Sequence, residues 1–258
     1  MSDTNKKAAI ATAIVLLIIA AFWTGFMEKT KKYTISEDFD NITVYGQNSS
    51  IKVCSSLDDK AYVKCKRNDR VNVNGDTLTV KEESKWFKLI SFDNTRIEIY
   101  LPDKEYDRLF IDTVSSSVNI NDRIIFENVE IESTSGSIET DIDVRDKVII
   151  SSASGSVKIN DLNNRELAVS TLSGPIKLKD VISDESMIIE TASGSVKLDK
   201  VDSDYIEITA VSGSVNGKIL SNKQYKVSTV SGSVNIPLSS GNNNCVIETV
   251  SGSIDISE

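Results

Sequence analysis

The stretch "IISSASGSVKI" at residues 149–159 recurs with small changes as "IIETASGSVKL" at 188–198 and "VIETVSGSIDI" at 246–256. Eight such copies lie between residues 110 and 256, and their central residues are Ser116, Gly136, Gly155, Gly174, Gly194, Gly213, Gly232 and Gly252. The centres recur at a nearly constant spacing. A fixed period of this length indicates a solenoid, in which short units stack because none can bury its own apolar face.

Two positions of the repeat are β-branched aliphatic in all eight copies. The position five before the centre holds Ile111, Ile131, Ile150, Val169, Ile189, Ile208, Val227 and Ile247, and the position two after it holds Val118, Ile138, Val157, Ile176, Val196, Val215, Val234 and Ile254. Such residues suit a half-buried pleated surface. Apolar and polar residues alternate around them, and a period of two predicts strands rather than helices.

The centre of each repeat is predicted to be a corner between two strands, followed after the second strand by a polar turn. Glycine fits a corner that a Cβ atom would obstruct. The position three before the centre is small and is predicted to point inward; it holds Thr113, Ser133, Ser152, Thr171, Thr191, Ala210, Thr229 and Thr249. Pro175 replaces the serine after Gly174, and because proline has no amide hydrogen we expect a local break in the hydrogen-bond ladder there.

These patterns predict an all-β chain built as a single-stranded parallel β-solenoid (β-helix) with about 20 residues per coil. Regular repeats occupy residues 109–258, and stacked coils would make a rod about 35–40 Å long. Residues 33–108 are predicted to form irregular β coils and an N-terminal cap, with a hairpin around Asn74-Gly75-Asp76. The aromatic residues Trp86, Phe87 and Phe92 fall in this cap region.

Residues 1–32 are predicted to be a short tail and a transmembrane anchor. Residues 8–26 contain no charge, and as a helix this run would span about 28 Å, close to the thickness of a bilayer core. The alternative of a cleaved signal peptide fits less well, because the apolar run is long and no clear cleavage site follows it. Lysines flank the run on both sides, so charge hardly sets its orientation. The short tail favours a single-pass anchor in the cell membrane with the solenoid exported.

Composition removes several classes of function. The chain has 29 Lys and Arg against 38 Asp and Glu, and a net charge of −9 argues against nucleic acid as a partner. Histidine is absent, which excludes Ser/His and Cys/His nucleophiles and His-ligated metal sites. Neither the EF-hand loop nor the calcium-binding nonapeptide occurs. We predict no catalytic residue, no cofactor-binding residue and no metal site.

Outward-facing acids are interpreted as part of a solvated charged surface. The acids are Glu132, Glu139, Asp141, Glu190, Glu207 and Glu248, and they alternate with Lys158, Lys177 and Lys197. A catalytic carboxylate pair is the less favoured interpretation, and it would make the chain a polysaccharide-active enzyme. Tyr205 and Tyr225 are separated by one repeat length and could stack on neighbouring rungs to contact a sugar, but packing within the turns is the favoured interpretation of both residues.

The three cysteines give an odd count. Cys54 and Cys65 lie in consecutive β segments and could pair in an oxidising compartment, which would leave Cys245 free. Three unpaired thiols within strands are the favoured interpretation.

Several segments resemble one bacterial family. "FDNITVYGQNSSIKV", "NGDTLTV", "IEIYLPDKEYDRLFIDTVSSSVNI" and the serial "SGSV" corners are similar to the putative-adhesin, β-strand-repeat family of unknown function that includes LiaG-like envelope proteins. The resemblance covers residues 39–258. It implies a parallel β-solenoid, an envelope location and no established enzymatic activity, and it supplies no functional residues.

Together these features predict a non-catalytic, membrane-anchored cell-envelope protein that acts by surface contact, as an adhesin does, or as a scaffold. An envelope protein or a cell-wall component is the expected partner besides the membrane. The alternatives are the polysaccharide-active enzyme and a cytoplasmic polymerising scaffold of the bactofilin type. Residues 246–256 are predicted to be the uncovered last rung, and we expect weak end-to-end self-association through it.

Overall fold

The computed structural model of the chain describes residues 30–83, 96–122 and 124–258. All regular structure within these ranges is strand. In chain order the strands are β1 (Thr30–Ile35), β2 (Asn41–Gly46), β3 (Ser50–Ser55), β4 (Ala61–Lys66), β5 (Arg70–Asn74), β6 (Thr77–Lys81), β7 (Arg96–Leu101), β8 (Glu105–Thr113), β9 (Val118–Ile120), β10 (Ile125–Ser133), β11 (Ile138–Asp141), β12 (Asp143–Ser152), β13 (Val157–Thr171), β14 (Ile176–Thr191), β15 (Val196–Ala210), β16 (Val215–Ile219), β17 (Lys223–Ser231), β18 (Val234–Asn235), β19 (Asn243–Ser251) and β20 (Ile254–Ser257).

The predicted anchor and the predicted aromatic cap fall outside the described residues. Residues 8–26 carry the first of these predictions, and Trp86, Phe87 and Phe92 carry the second. Within the described ranges, no helix combines the length and apolar character that crossing a bilayer requires.

The predicted parallel stacking is confirmed. Val157 of β13 pairs with Ile176 of β14, which pairs in turn with Val196 of β15, so residues one repeat apart are direct neighbours. The two β-branched columns point into a single core. In seven of the eight rungs both residues are at most 1% exposed. The alternating pattern therefore identifies the core correctly, and the apolar burial that it provides is the main stabilisation of the rod.

The predicted polar turn after the second strand is wrong for the middle rungs. β13, β14 and β15 each run through it, and Leu162, Val181 and Val201 on this third side are buried. The chain bends just before them at Asp161, Asp180 and Lys200, which have positive φ angles of 48°, 51° and 58°. This third side resembles a polar turn in the sequence because its outward residues are charged and only every second residue is apolar.

The small residues three before each centre point inward, as predicted, and they hold the corners. The backbone N–H of Gly155 donates to the Ser152 hydroxyl at 2.9 Å, and that of Gly194 donates to the Thr191 hydroxyl at 2.8 Å. A buried corner amide thus finds an acceptor three residues back in the chain. This local bond explains why serine and threonine dominate a column that otherwise faces an apolar core.

The break predicted at Pro175 does not occur. The Pro175 carbonyl accepts a hydrogen bond from the N–H of Val157 at 3.0 Å, just as Ser156 accepts one from Ile138 at 2.8 Å. In the other described rungs, the amide of the residue after the centre donates no backbone hydrogen bond across the corner. The ladder does not use this amide, so proline removes nothing from it.

The order of the last rungs differs from the prediction. β19 and β20 lie between two earlier rungs: Ile247 pairs with Ile208 on one side and with Val227 on the other, and Ile254 pairs with Val215 and Val234 in the same way. Residues 246–256 are therefore an interior rung. The terminal rung is formed by β17 and β18.

Tyr225 gives a physical reason for this order. It occupies the inward column that holds Ile206 and Cys245 in the rungs below it. A phenol ring is too large for a position pressed between two rungs, but at the end of the rod it is half-buried and its hydroxyl approaches Glu258. Val234 of this rung is 45% exposed, whereas its counterparts are buried.

The opposite end of the rod also contains a rung that lies between two rungs formed later in the chain. β2 and β3 lie between the β6–β7 rung and the β8–β9 rung, with all these pairings parallel. β5 and β6 form the predicted hairpin, whose two-residue turn includes Gly75 at φ +64°. β4 pairs antiparallel with β7, and β1 pairs antiparallel with β4. β8 crosses the boundary drawn at residue 108, and one core cluster continues through both regions.

The described cysteines are all unpaired and buried. Cys54 and Tyr62 both pair with Tyr100, from opposite sides of β7, and Cys65 is three residues further along β4. Two strand spacings and three residues of rise separate the Cα atoms of the two cysteines by about 14 Å. A disulfide needs less than about 7 Å. Burial is the main cause that raises the pKa of both Cys65 and Cys245 to about 12.

The inserted rung can be tested by cross-linking. Val211 and Val250 are exposed on adjacent rungs, at about 4.8 Å between Cα atoms, whereas Val211 and Val230 are two rungs apart, at about 10 Å. We expect the double variant Val211→Cys/Val250→Cys to form a disulfide under mild oxidation and Val211→Cys/Val230→Cys to remain reduced. Mass spectrometry of peptides would identify the bond, and the opposite result would show that the rungs follow chain order.

Candidate interaction surfaces

An exposed apolar ridge follows one corner of the rod. It is formed by the residues two before each centre, which point outward because their neighbours three before the centre point inward. In spatial order these residues, the corner ridge, are Val114, Thr134, Ala153, Leu172, Ala192, Val211, Val250 and Val230. Leu172 is 60% exposed and Val230 is 82% exposed. A row of aliphatic side chains in water is a feature of contact surfaces.

A shallow groove of about 460 Å³ runs beside the corner ridge. Its outward residues are Asp112, Glu132, Ser151 and Ser170, one from each of four successive rungs, and Leu172 contributes to its wall. The Ser170 hydroxyl donates to the Ser151 hydroxyl at 3.2 Å. This hydroxyl groove offers carboxylates at one end, hydroxyls at the other and an apolar wall, a mixture suited to polar ligands with an apolar side.

The acids singled out in the sequence are spread over four rungs. The nearest two, Glu139 and Asp141, lie on the outer side of β11 about 7 Å apart between Cα atoms. Glu132 and Glu190 share a column but are three rungs apart, which is about 14 Å, whereas paired glycosidase carboxylates lie about 5–9.5 Å apart. The Glu139 carboxylate forms an ion pair with Lys158, with 2.6 Å between Oε1 and Nζ. Glu132 does have an acidic neighbour, Asp112, on the adjacent rung.

Tyr205 and Tyr225 do not stack. The inserted rung separates them, and Tyr225 points inward in the column of Ile206. Tyr205 donates instead to Glu207 at 2.8 Å, and this hydrogen bond is the main cause that raises the pKa of Tyr205. The alternative of a sugar-stacking tyrosine pair is therefore wrong. Among the described residues, no group of three or more acidic or cysteine side chains is arranged to hold a metal ion.

A second surface lies at the N-terminal end of the rod, on the antiparallel strands β1, β4 and β7. Lys32 lies over the Tyr62 ring, with 3.4 Å from Nζ to the ring centroid, and Lys64 lies over Tyr100 at 4.5 Å. These four residues and the fully exposed Leu57 line a depression of about 280 Å³. We call this surface the Lys–Tyr face.

A buried carboxylate closes the ladder at this end. The Glu82 carboxylate accepts hydrogen bonds from the backbone N–H groups of Gln47, Asn48 and Ser49 at 2.7, 3.0 and 3.1 Å. It also accepts the Ser49 hydroxyl at 2.6 Å and pairs with Lys66 at 3.0 Å. In the regular rungs such corner amides donate to carbonyls of the preceding rung. Glu82 supplies the acceptors that a further rung would provide.

Comparison with protein-family models matches residues 35–258 to the Toastrack domain of unknown function, DUF4097. The chain belongs to this family. The resemblance noted in the sequence is thereby confirmed.

Solved structures share the Toastrack fold at low identity. A "putative lipid binding protein" from Parabacteroides distasonis aligns with a TM-score of 0.59 at 20% identity, over 90% of this chain and 98% of that one. "Putative adhesin" structures from Bacteroides fragilis and Parabacteroides merdae give TM-scores of 0.59 and 0.53, each at 16% identity and over 89% of this chain, covering 98% and 96% of theirs. At such identities the likeness shows the fold alone. No protein with a curated description matches the chain.

Sequence reasoning missed the corner ridge, the Lys–Tyr face and the buried Glu82 carboxylate. The corner ridge is visible as an aliphatic column two before each centre, but the alternation of the strands points first to the buried columns. The Lys–Tyr face joins strands that are distant in the chain, and Glu82 bonds to Gln47, which lies 35 residues earlier in the chain. Neither arrangement leaves a local motif.

Proposed function

We propose that this Toastrack protein is a non-catalytic, membrane-anchored cell-envelope module that binds its partner through the corner ridge and the hydroxyl groove. The observation that carries the proposal is the column of outward side chains at this corner, in which Val114, Leu172, Val211, Val250 and Val230 are exposed aliphatic residues. A stiff rod that presents one side-chain column along several rungs can bind an extended partner by many weak contacts. The adhesin descriptions of its structural neighbours support this interpretation.

The proposal includes the single-pass anchor at residues 8–26, with the solenoid on the extracytoplasmic side. The absence of charge throughout this run supports it. Protease digestion of spheroplasts and of lysed cells would test the orientation. We expect the solenoid to be digested in intact spheroplasts, and protection until lysis would place it in the cytoplasm.

A charge placed on the ridge should weaken partner binding. We expect the double variant Leu172→Glu/Val211→Glu to bind isolated cell-wall and envelope fractions at least tenfold more weakly than the unchanged chain, because both exposed positions would become charged. The matched control is Lys177→Gln/Lys197→Gln, which alters two outward residues on the strands after the corners. Equal binding by both variants in a co-sedimentation assay would show that the partner does not bind through the ridge.

The expected self-association is now proposed for the β17–β18 rung. This rung is nearly uncharged along residues 224–236, where Lys226 is the one charged residue, and its outer edge lacks a parallel neighbour among the described strands. The other end carries antiparallel strands and the Glu82 carboxylate, so the two ends do not match. Association through β17–β18 would stop at a two-fold dimer, which disfavours a bactofilin-type filament. Light scattering at high protein concentration would detect the dimer, and a monomer would exclude it.

A further inference from the structure

The edge of the rod nearest the N-terminus is locally basic although the chain is acidic overall. β1 and β4, the outermost strands there, contain Lys31, Lys32, Lys64 and Lys66 and no carboxylate. Lys66 is used by Glu82. The other three ammonium groups lie over tyrosine rings: Lys31 over Tyr33 at 4.2 Å, and Lys32 and Lys64 over the rings of the Lys–Tyr face.

Nearby carboxylates only partly neutralise this face. Asp58 accepts a hydrogen bond from Tyr62, which is the main cause that lowers the pKa of Asp58. Glu98 lies 3.7 Å from Lys64 and also approaches Arg96 at 3.8 Å. Lys32 forms no ion pair of this kind in the described structure. The Leu57 side chain protrudes beside it, fully exposed.

The short connection between residues 26 and 30 limits how far this face can lie from the predicted anchor. β1 starts at Thr30, and the uncharged run ends at Phe26, so the three residues between them can bridge at most about 14 Å. The polar headgroup layer is about 5–8 Å thick on each side of a bilayer. If residues 8–26 span the membrane, β1 begins at or just outside the headgroups, and the rest of the face is within one or two strand widths of them.

We propose that the Lys–Tyr face docks on the membrane surface and binds anionic phospholipid headgroups. This inference rests on the proposed anchor at residues 8–26. The ammonium groups of Lys32 and Lys64 contact lipid phosphates, and the tyrosine rings lie at headgroup depth, where such amphipathic rings are enriched. Leu57 enters the boundary between headgroups and acyl chains. The contact holds the rod in a defined orientation instead of leaving it free on its tether.

A label at Leu57 tests the contact. The full chain carrying Leu57→Cys, modified with a polarity-sensitive dye, is reconstituted into vesicles of phosphatidylcholine alone or of phosphatidylcholine with phosphatidylglycerol. The three native thiols are buried and have raised pKa values, so the exposed new cysteine reacts preferentially. We expect a several-fold stronger apolar signal in the anionic vesicles, reduced by 0.5 M salt because screening weakens surface charge interactions. A dye at Leu238→Cys, exposed beside the terminal rung, should report water throughout.

Paired lysine variants identify the groups responsible. Lys32→Gln/Lys64→Gln should reduce the Leu57 signal in anionic vesicles at least threefold, and Lys158→Gln/Lys197→Gln should leave it unchanged. Circular dichroism would confirm that both variants are folded. Co-flotation with vesicles is measured in every case. A chain that floats but gives a water-like signal at Leu57 overturns the docking and leaves the anchor. A chain that does not float overturns the anchor and the docking together, and equal signals in both lipids, insensitive to salt, exclude anionic headgroups.

Discussion

Replacing Gly194 with valine is expected to destabilise the rod by more than about 4 kcal/mol. A Cβ atom at this position would lie 2.0 Å from the carbonyl oxygen of Gly174 and 2.8 Å from the Thr191 hydroxyl. The first contact is with backbone, so relief requires the two rungs to separate. Even Gly194→Ala meets the same atoms, and we expect it to cost nearly as much as valine.

Gly75 provides the matched control. It has a positive φ of +64°, but nothing lies within 4 Å of the Cβ that alanine would add there. Gly75→Ala should therefore cost only about 1 kcal/mol, from backbone conformation alone. Lys197→Gln, on the outer surface, should stay within about 0.5 kcal/mol. Urea unfolding followed by circular dichroism would rank the variants. If Gly75→Ala proved as costly as Gly194→Ala, close contact between rungs would not be the reason for the corner glycines.

Glu82→Ala is expected to cost about 3–5 kcal/mol, because it leaves backbone amides and the Lys66 ammonium group without their acceptor in a site where Glu82 is only 3% exposed. The pH dependence gives a sharper test. Burial alone would raise the pKa of Glu82, but the Ser49 hydroxyl, the Gln47 amide and Lys66 outweigh it and lower the pKa to about 2.

The folded pKa of Glu82 is thus below its unfolded value of about 4.5. The stabilisation is complete above pH 4.5 and is lost as pH falls towards 2, and it amounts to about 3 kcal/mol. Asp69 acts in the opposite direction, because burial raises its pKa and favours its protonated form in the fold. We expect the stability difference between the unchanged chain and Glu82→Gln to shrink between pH 5 and pH 3. A constant difference for Glu82→Gln would exclude a charged cap.

The sequence predicts the core of this fold well because the core is periodic. Each β-branched column recurs once in every repeat, and stacking is the arrangement that buries such columns. The order of the rungs cannot be read in the same way, since Ile247 and Val227 are equally acceptable neighbours for Ile208. Tyr225 is the local exception, and its size becomes informative only once the width of the interior is known.

The capping and surface features depend on strand pairings that cannot be predicted from the repeat pattern. Glu82 appears in the sequence as one acid among 38. Its role follows from the parallel pairing of β2 with β6, which brings it beside the corner at residues 47–49. Pro175 shows the converse case: its chemistry is evident in the sequence, but its effect depends on whether the ladder uses that amide.

The inserted rung also affects the order in which the rungs can assemble during synthesis. Residues 223–235 leave the ribosome before residues 243–257, which must lie beneath them in the finished rod. At about 5–20 residues per second, the delay is about one to four seconds. During that time the 196–219 rung presents a free edge with the columns that residues 223–235 fit. A rung that docks there early has to detach again before residues 243–257 can enter, so those residues join the rod by insertion rather than by addition.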